Sequence, residues 1–213
     1  SRPVGDAMAT TIWGTSSSWT LTALPLFVWM GEILFRTRLS ENLFKGLSPW
    51  MQKLPGGLIH VNVVGCALFA AISGSSAATV ATVGKMSIPE LRKRNYPEKI
   101  LLGSLAGSGT LGLLIPPSII LIIYGVAVQE SIAKLFIAGI LPGIMIALIF
   151  MSYVIFWSLI NKKQMPKIVE EYSIFEKIKR SKQLLPVIIL ISAVIGAISV
   201  SYPHLTLPTI YSV

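Results

Sequence analysis

The chain has 213 residues, of which 53% are hydrophobic and only 13% charged, and its mean hydropathy is +0.72. Soluble domains usually carry about a quarter charged residues, so this composition argues against a soluble fold and indicates an all-α integral membrane protein. The net charge of +9 would suit nucleic-acid binding, but the basic residues lie in short loops between apolar stretches, which argues against that class. The single cysteine excludes a disulfide within the chain.

Apolar stretches alternate with basic segments along the chain. Residues 20–35 form the first apolar stretch, near whose end Glu32 is spaced to pair with Arg36. Residues 36–57 mix basic and apolar side chains in a pattern that predicts an amphipathic helix at the membrane interface. Further apolar stretches cover residues 58–84, 100–128, 132–160 and 184–200, and the intervening segments 85–99 and 161–182 are basic.

Two of the apolar stretches are interrupted by small residues and prolines. The first interruption is SGSS at residues 73–76, and the second is GSGTLGLLIPP at residues 107–117. Pro116 and Pro117 lack the backbone donors of a regular helix. Such breaks persist in a membrane only where the freed backbone groups line a cavity or bind something. A pair of them is typical of the substrate and ion site of a secondary transporter.

The loop charges predict how the first interrupted stretch runs. Residues 36–53 hold four Lys or Arg, residues 85–99 hold five and residues 161–182 hold seven, which is sixteen of the eighteen in the chain. If residues 58–84 enter the membrane and return, all sixteen lie on the cytoplasmic side, as the positive-inside rule favours. We therefore predict a re-entrant helical hairpin, followed by a broken helix whose break lies at the same depth as the hairpin tip.

The interrupted segments offer only neutral oxygen ligands. Besides carbonyls, these are the hydroxyls of Ser73, Ser75, Ser76, Thr79, Ser108 and Thr110. No Asp or Glu occurs in residues 42–89 or 99–129, whereas a proton-coupled carrier normally places an acid in this core. Oxygen ligands suit a hard cation, so the pattern favours Na⁺ over H⁺. The alternative is that the small residues only allow tight helix packing.

Two further motifs have less support. Residues 107–112 match the GxGxxG dinucleotide fingerprint, but Pro116 and Pro117 block the helix that should follow. Ser73 or Ser75 with His60 would suit an intramembrane serine protease. His60 lies thirteen residues before Ser73, so a helix would hold the two nearly one hairpin arm apart.

Ten short motifs, in order, resemble the large membrane subunit of the TRAP (tripartite ATP-independent periplasmic) transporters, most of all its dicarboxylate-type members. The motifs are LPLF (24–27), GE (31–32), LPGGL (54–58), HVNV (60–63), ISGSSAATVA (72–81), YPEK (96–99), SGTLG (108–112), IPPS (115–118), LFIAG (135–139) and LPG (141–143). The resemblance extends from about residue 4 to about residue 200. It implies an elevator-type carrier with inverted repeats, of which this chain is the first.

The same resemblance implies Na⁺-driven symport of small organic anions such as C4-dicarboxylates, without enzymatic activity. The implied partners are a small membrane subunit and a periplasmic substrate-binding protein, and the implied location is the cytoplasmic (inner) membrane of a bacterium or archaeon, crossed several times. The first sodium site of the family corresponds to Ser73, Ser75, Gly112, Ile115 and Pro117, of which Ile115 and Pro117 offer only carbonyls. We assign Ser76, Thr79 and Thr110 to the substrate.

Four parts are expected along the chain. Residues 1–57 form a scaffold helix plus the amphipathic helix, residues 58–128 form the transport-domain hairpin and broken helix, residues 129–201 form the following membrane helices with a basic loop, and residues 202–213 form a non-native tail. Because the chain has about half the family's length and lacks an initiator Met, we expect an N-terminal fragment without the second repeat. A sodium-coupled dicarboxylate carrier that needs no binding protein, a channel-type pore and an intramembrane hydrolase remain alternatives.

Overall fold

The computed structural model describes residues 4–16, 23–37, 39–166 and 172–205, and every regular element in these ranges is helical. The helices are α1 (Val4–Ser16), α2 (Ala23–Arg36), α3 (Leu39–Met51), α4 (Ile59–Ser73), α5 (Ser76–Lys93), α6 (Glu98–Gly109), α7 (Ile119–Val128), α8 (Ile132–Ile160), α9 (Ile174–Ser181) and α10 (Leu185–Leu205). Short 3₁₀ segments cover Thr110–Leu113, Lys162–Gln164 and Lys182–Leu184. The all-α prediction is therefore confirmed.

Both predicted breaks are present, and each predicted apolar stretch contains a helix. The boundaries differ in the basic segments. α5 continues through Lys93 into the predicted loop because its face stays apolar as far as Leu91, which is fully buried. α9 forms within the predicted basic loop, and α1 is a further helix that the sequence patterns did not indicate. Residues 206–213 of the predicted tail lie outside the described residues, whereas residues 202–205 continue α10.

α4 is the central helix of the fold. It packs against α3, α5, α6 and α8, and Phe69 and Ile72 in its second half are fully buried. Asn62 ties it to α6 by donating to the carbonyl of Leu101 (3.3 Å) and to Ser104 Oγ (3.1 Å). Because burying an unbonded amide N–H group is costly, these bonds fix the register of α4 against α6.

The amphipathic helix predicted within residues 36–57 is α3. Its apolar side chains Leu43, Phe44 and Leu47 are buried in the protein core, where they pack with residues of α4 and α5. Protein contacts therefore cover the apolar face that the spacing assigned to the membrane interface. The interfacial location of this helix stays a prediction.

The three basic segments meet at one end of the bundle. Trp50 Nε1, at the end of α3, donates to Ser181 Oγ of α9 (2.8 Å). The backbone N–H of Leu58, just before α4, donates to the Tyr96 hydroxyl between α5 and α6 (3.1 Å). The turn between α4 and α5 lies a full helix length away from this end. The hairpin thus begins and ends beside the basic segments, and its re-entrant course in a membrane stays a prediction.

Among the described residues, α8 is the one helix that is both long and apolar enough to cross a membrane. Its 29 residues exceed the roughly 20 that a bilayer requires. Large apolar side chains cover its exposed surface, including Ile137, Leu141 and Phe156. α4 and α7 are apolar but have only 15 and 10 residues.

Candidate functional site: two helix breaks in contact

The first break is a two-residue turn between α4 and α5. α4 ends at Ser73, and Gly74 follows in the left-handed conformation (φ 59°) with its N–H bonded to the carbonyl of Ala70. Glycine is the residue that adopts this helix-ending conformation without a Cβ penalty. Ser75 is extended, and its hydroxyl accepts weakly from the N–H of Ala78 (3.5 Å), which caps α5. The SGSS sequence therefore ends one helix and starts the next.

Three oxygen atoms form a buried hydrogen-bonded cluster at this turn. Thr79 Oγ1 lies 2.7 Å from the carbonyl oxygen of Ser75 and 2.9 Å from Ser73 Oγ. Since the carbonyl can only accept, Thr79 donates to Ser75 and receives the proton of Ser73. Ser73 Oγ also lies 3.3 Å from the carbonyl oxygen of Ser75 and accepts weakly from the N–H of Ser75 (3.4 Å). Thr79 therefore orients both Ser73 and Ser75.

The second break extends from Thr110 to Ser118. α6 tightens into the 3₁₀ segment Thr110–Leu113, and the N–H groups of Leu114 and Ile115 both bond to the carbonyl of Leu111. A cis peptide bond joins the two prolines that follow. Ser118 Oγ donates to the carbonyl of Leu113 (2.8 Å), and α7 begins at the next residue.

The two breaks are in direct contact, although about forty residues separate them in sequence. The N–H of Ile119, the first of α7, donates to the carbonyl of Gly74 (3.2 Å). A Cβ on Gly74 would lie 2.6 Å from the carbonyl oxygen of Pro117. A Cβ on Gly112 would lie 2.8 Å from the backbone of Ser75. Glycine is required at both positions because backbone approaches backbone.

This contact brings four helix ends together. The C-terminal end of α4 and the 3₁₀ end of α6 carry partial negative charge, while the N-terminal ends of α5 and α7 carry partial positive charge. Such an arrangement can hold a cation on carbonyls and hydroxyls, and an anion on N–H groups, side by side.

Of the predicted cation ligands, the structure brings Ser73, Ser75, Gly112 and Pro117 to this contact. Ile115 lies in the same break, with its side chain against α8, where a Cβ on Gly143 would meet Ile115 Cγ1 at 2.8 Å.

The predicted substrate residues fall in different surroundings. Thr79 is fully buried in the hydroxyl cluster, beside the predicted cation ligands. Ser76 is half-buried at the start of α5. Thr110 is exposed, and its hydroxyl donates to the carbonyl of Gly107 within its own helix (2.7 Å). The substrate role of these three residues stays a prediction.

The sequence reasoning gave no role at the site to three glycines that shape it. Gly31 of α2 packs on the backbone of Ser73, and a Cβ on Gly31 would lie 3.7 Å from the carbonyl oxygen of Ser73. Gly139 of α8 approaches the carbonyl of Leu114, which a Cβ would meet at 2.8 Å. Gly139 and Gly143 are four residues apart in an apolar helix, and this small-residue spacing is the signal of a close helix contact.

The chemistry of the oxygen atoms at the contact fits Na⁺. Ser73 and Ser75 offer hydroxyls, and Ser75, Gly112, Ile115 and Pro117 offer carbonyls, all of them neutral. Unwound carbonyls and helix C-terminal ends are the ligands with which transporters hold sodium. Within the described ranges, no group of three or more His, Cys, Asp or Glu is placed to hold a metal ion.

Comparison with known proteins identifies the family of the chain. The family described as "Tripartite ATP-independent periplasmic transporter, DctM component" matches residues 1–209. The chain is 34% identical over 192 residues to the C4-dicarboxylate TRAP transporter large permease protein DctM of Pseudomonas aeruginosa, covering 90% of this chain and 44% of that protein. It is 40% identical over 138 residues to the 2,3-diketo-L-gulonate TRAP transporter large permease protein YiaN of Escherichia coli, covering 65% of this chain and 32% of that protein.

A third relative is the sialic acid TRAP transporter permease protein SiaT of Haemophilus influenzae, 38% identical over 135 residues, which are 63% of this chain and 22% of that protein. The chain thus spans less than half the length of these relatives. All three are transport permeases of an inner-membrane family, which confirms the prediction of a transporter component and not an enzyme. The chain belongs to the DctM family of tripartite ATP-independent periplasmic transporters.

Proposed function

We propose that the chain provides the first sodium site, and half of the anion site, of a Na⁺-coupled permease. The observation that carries this proposal is the contact between the two breaks, where Gly74 and Ile119 share a hydrogen bond and Gly112 packs on Ser75. Residues 73–79 and 110–119 contribute neutral oxygens and helix C-terminal ends to this contact, and neither stretch contains an acid. The ion would be held by Ser73, Ser75, Gly112, Ile115 and Pro117. Bound Na⁺ would supply a positive charge beside the substrate.

The substrate is a small organic anion in this proposal. The relatives are named for C4-dicarboxylate, 2,3-diketo-L-gulonate and sialic acid, all of which carry a carboxylate at neutral pH. A carboxylate suits the N-terminal ends of α5 and α7, and Ser76, Thr79 and Thr110 are the predicted polar contacts. We propose a C4-dicarboxylate as the substrate because the DctM relative covers the most of this chain among the three.

The proposed mechanism is elevator-type import across the inner membrane. The hairpin α4–α5 and the broken helix α6–α7 would move as the transport domain, with α2 and α3 in the scaffold. The basic segments would face the cytoplasm, as loop charge favours, so that the hairpin opens from that side and α8 crosses the membrane in a multi-pass arrangement. A periplasmic binding protein would deliver the substrate, and a small membrane subunit would complete the permease.

The test is uptake by a complete permease that carries this sequence, reconstituted with its small subunit and binding protein. We expect uptake to follow the sodium gradient, and Ser73→Ala or Ser75→Ala to raise the sodium concentration for half-maximal rate about tenfold or more. Ser152→Ala is the matched control, since Ser152 is an exposed serine bonded within α8. Uptake that follows pH and ignores sodium would contradict the proposal.

Two alternatives give different results in the same assay. A carrier without a binding protein would import substrate equally well when that protein is omitted. A channel-type pore would show a flux that rises linearly with substrate and never saturates.

A further inference from the structure

A cationic amphipathic surface lies outside the transport site, on α9 and the end of α3. The side chains of Ile174, Phe175 and Ile178 share one face of α9 and are 74%, 76% and 54% exposed. Trp50 of α3 adds an indole that is 47% exposed. An apolar face that no described residue covers indicates a binding partner.

α9 is held on the end of α3. Ser181 accepts from Trp50 Nε1 (2.8 Å), and Lys177 Nζ lies 5.7 Å from the centre of the Trp50 ring. No residue of α9 is buried. A helix of eight residues is too short to be stable by itself in water, so packing on further surface would stabilise it.

The charge of the surface is strongly positive. Residues 174–182 contain four basic residues, which are Lys177, Lys179, Arg180 and Lys182. Within residues 174–182 the one acid is Glu176, which accepts the N–H of Ser173 in a capping box at the start of the helix. Basic side chains around an apolar face are the pattern of helices that lie on anionic bilayers.

The position of α9 in the fold favours a lipid occupant over a protein. The helix lies between α8, which is apolar and long enough to cross a membrane, and α10, which is also apolar. It lies at the end of the bundle where the other basic segments meet, beside Trp50. A bilayer that contains α8 therefore has its surface next to α9.

We infer that α9, together with Trp50, binds the surface of the bilayer and that Lys179 and Lys182 contact anionic phospholipid headgroups. Ile174, Phe175 and Ile178 enter the boundary between headgroups and acyl chains. This contact anchors the basic end of the bundle while the transport site lies at the far end of α4. The inference needs the membrane location of the family and does not depend on sodium binding.

A site-specific fluorescent label tests the position of the helix. Cys66 is buried and is the only cysteine in the sequence, so Cys66→Ser gives a cysteine-free background. Single labels are then attached at Phe175→Cys and Ile178→Cys. Arg180→Cys, on the opposite face of α9, is the control. In nanodiscs of acyl-brominated phospholipid we expect strong quenching at positions 175 and 178, and little at 180. Quenching of position 175 by aqueous iodide but not by brominated lipid would overturn the inference.

A charge variant tests the headgroup contact. With the label at position 175, we expect bromolipid quenching to rise at least twofold when phosphatidylglycerol replaces phosphatidylcholine, and the rise to disappear in Lys179→Gln/Lys182→Gln. The control Lys93→Gln/Lys99→Gln removes two exposed charges from the α5–α6 region and should keep the rise. An equal loss in both double variants, or no dependence on anionic lipid, would contradict the inference.

Discussion

Gly112→Ala is the sharpest test of the contact between the two breaks. The added Cβ would lie 2.8 Å from the carbonyl carbon of Ser75 and from the N–H nitrogen of Ser76, and 2.9 Å from the Ser75 oxygen. All three atoms are backbone, so no side chain can rotate away. Gly112 lies in a 3₁₀ segment and its φ is not positive. Alanine at this position is therefore disfavoured by the contact and not by the backbone conformation.

The magnitude follows from the displacement. Ordinary contacts begin near 3.4 Å, so the second break must move from the hairpin tip by roughly half an ångström. Overpacking of this kind costs about 1–3 kcal/mol of unfolding free energy. If the carbonyls of Gly112 and Ser75 hold Na⁺, the same displacement weakens ion binding, and each ~1.4 kcal/mol lost lowers affinity about tenfold.

The matched control is Gly103→Ala. Gly103 lies in the middle of α6, and no atom outside its own helix backbone and chain neighbours comes within 4 Å of the Cβ position. Alanine favours a helix by up to about 1 kcal/mol over glycine, so this variant should be equally stable or more stable. The two variants add the same methyl group and are expected to change stability in opposite directions.

The assay is thermal unfolding of the purified chain in detergent, with sodium chloride compared to potassium chloride. An ion that binds only the folded state raises the melting temperature, so the sodium-specific increase reports the site. We expect Gly112→Ala to lower the melting temperature and abolish most of that increase. An unchanged melting temperature would refute the close contact. A lower melting temperature with the sodium-specific increase in melting temperature intact would refute only the sodium site.

Three further predictions concern single side chains. Thr79→Val should weaken the sodium-specific stabilisation about tenfold in apparent affinity, whereas Thr79→Ser, which keeps the hydroxyl, should largely retain it. A loss in Thr79→Ser as large as that in Thr79→Val would contradict the role of the hydroxyl. Tyr96→Phe should lower the unfolding free energy by about 1–3 kcal/mol, because the N–H of Leu58 loses its acceptor. The control Tyr153→Phe, on the exposed side of α8, should change the unfolding free energy little in parallel denaturant titrations. Glu32→Gln breaks an exposed ion pair and should cost less than about 1 kcal/mol in the same titrations; a larger loss would show that this acid has another role.

Helix type and helix ends were predictable because their signals are local. An uninterrupted apolar run predicts α8, and Gly74 with Ser75 ends one helix and caps the next through contacts within four residues. Glu32 also pairs with Arg36 (2.9 Å) as their spacing predicts. The ends of helices within charged segments were less predictable. α5 extends to Lys93 because Leu91 is buried against α3 and α4.

The arrangement of the site depended on contacts between distant parts of the chain. The sequence by itself determined that two breaks exist and that only neutral oxygens are available near them, because composition and helix-breaking residues act locally. Only the tertiary structure decided that Ile119 bonds to Gly74, that Gly112 packs on Ser75 and that Thr79 orients Ser73. Packing of α4 against α6 brings these groups together, and no periodicity within either segment encodes the distance between them.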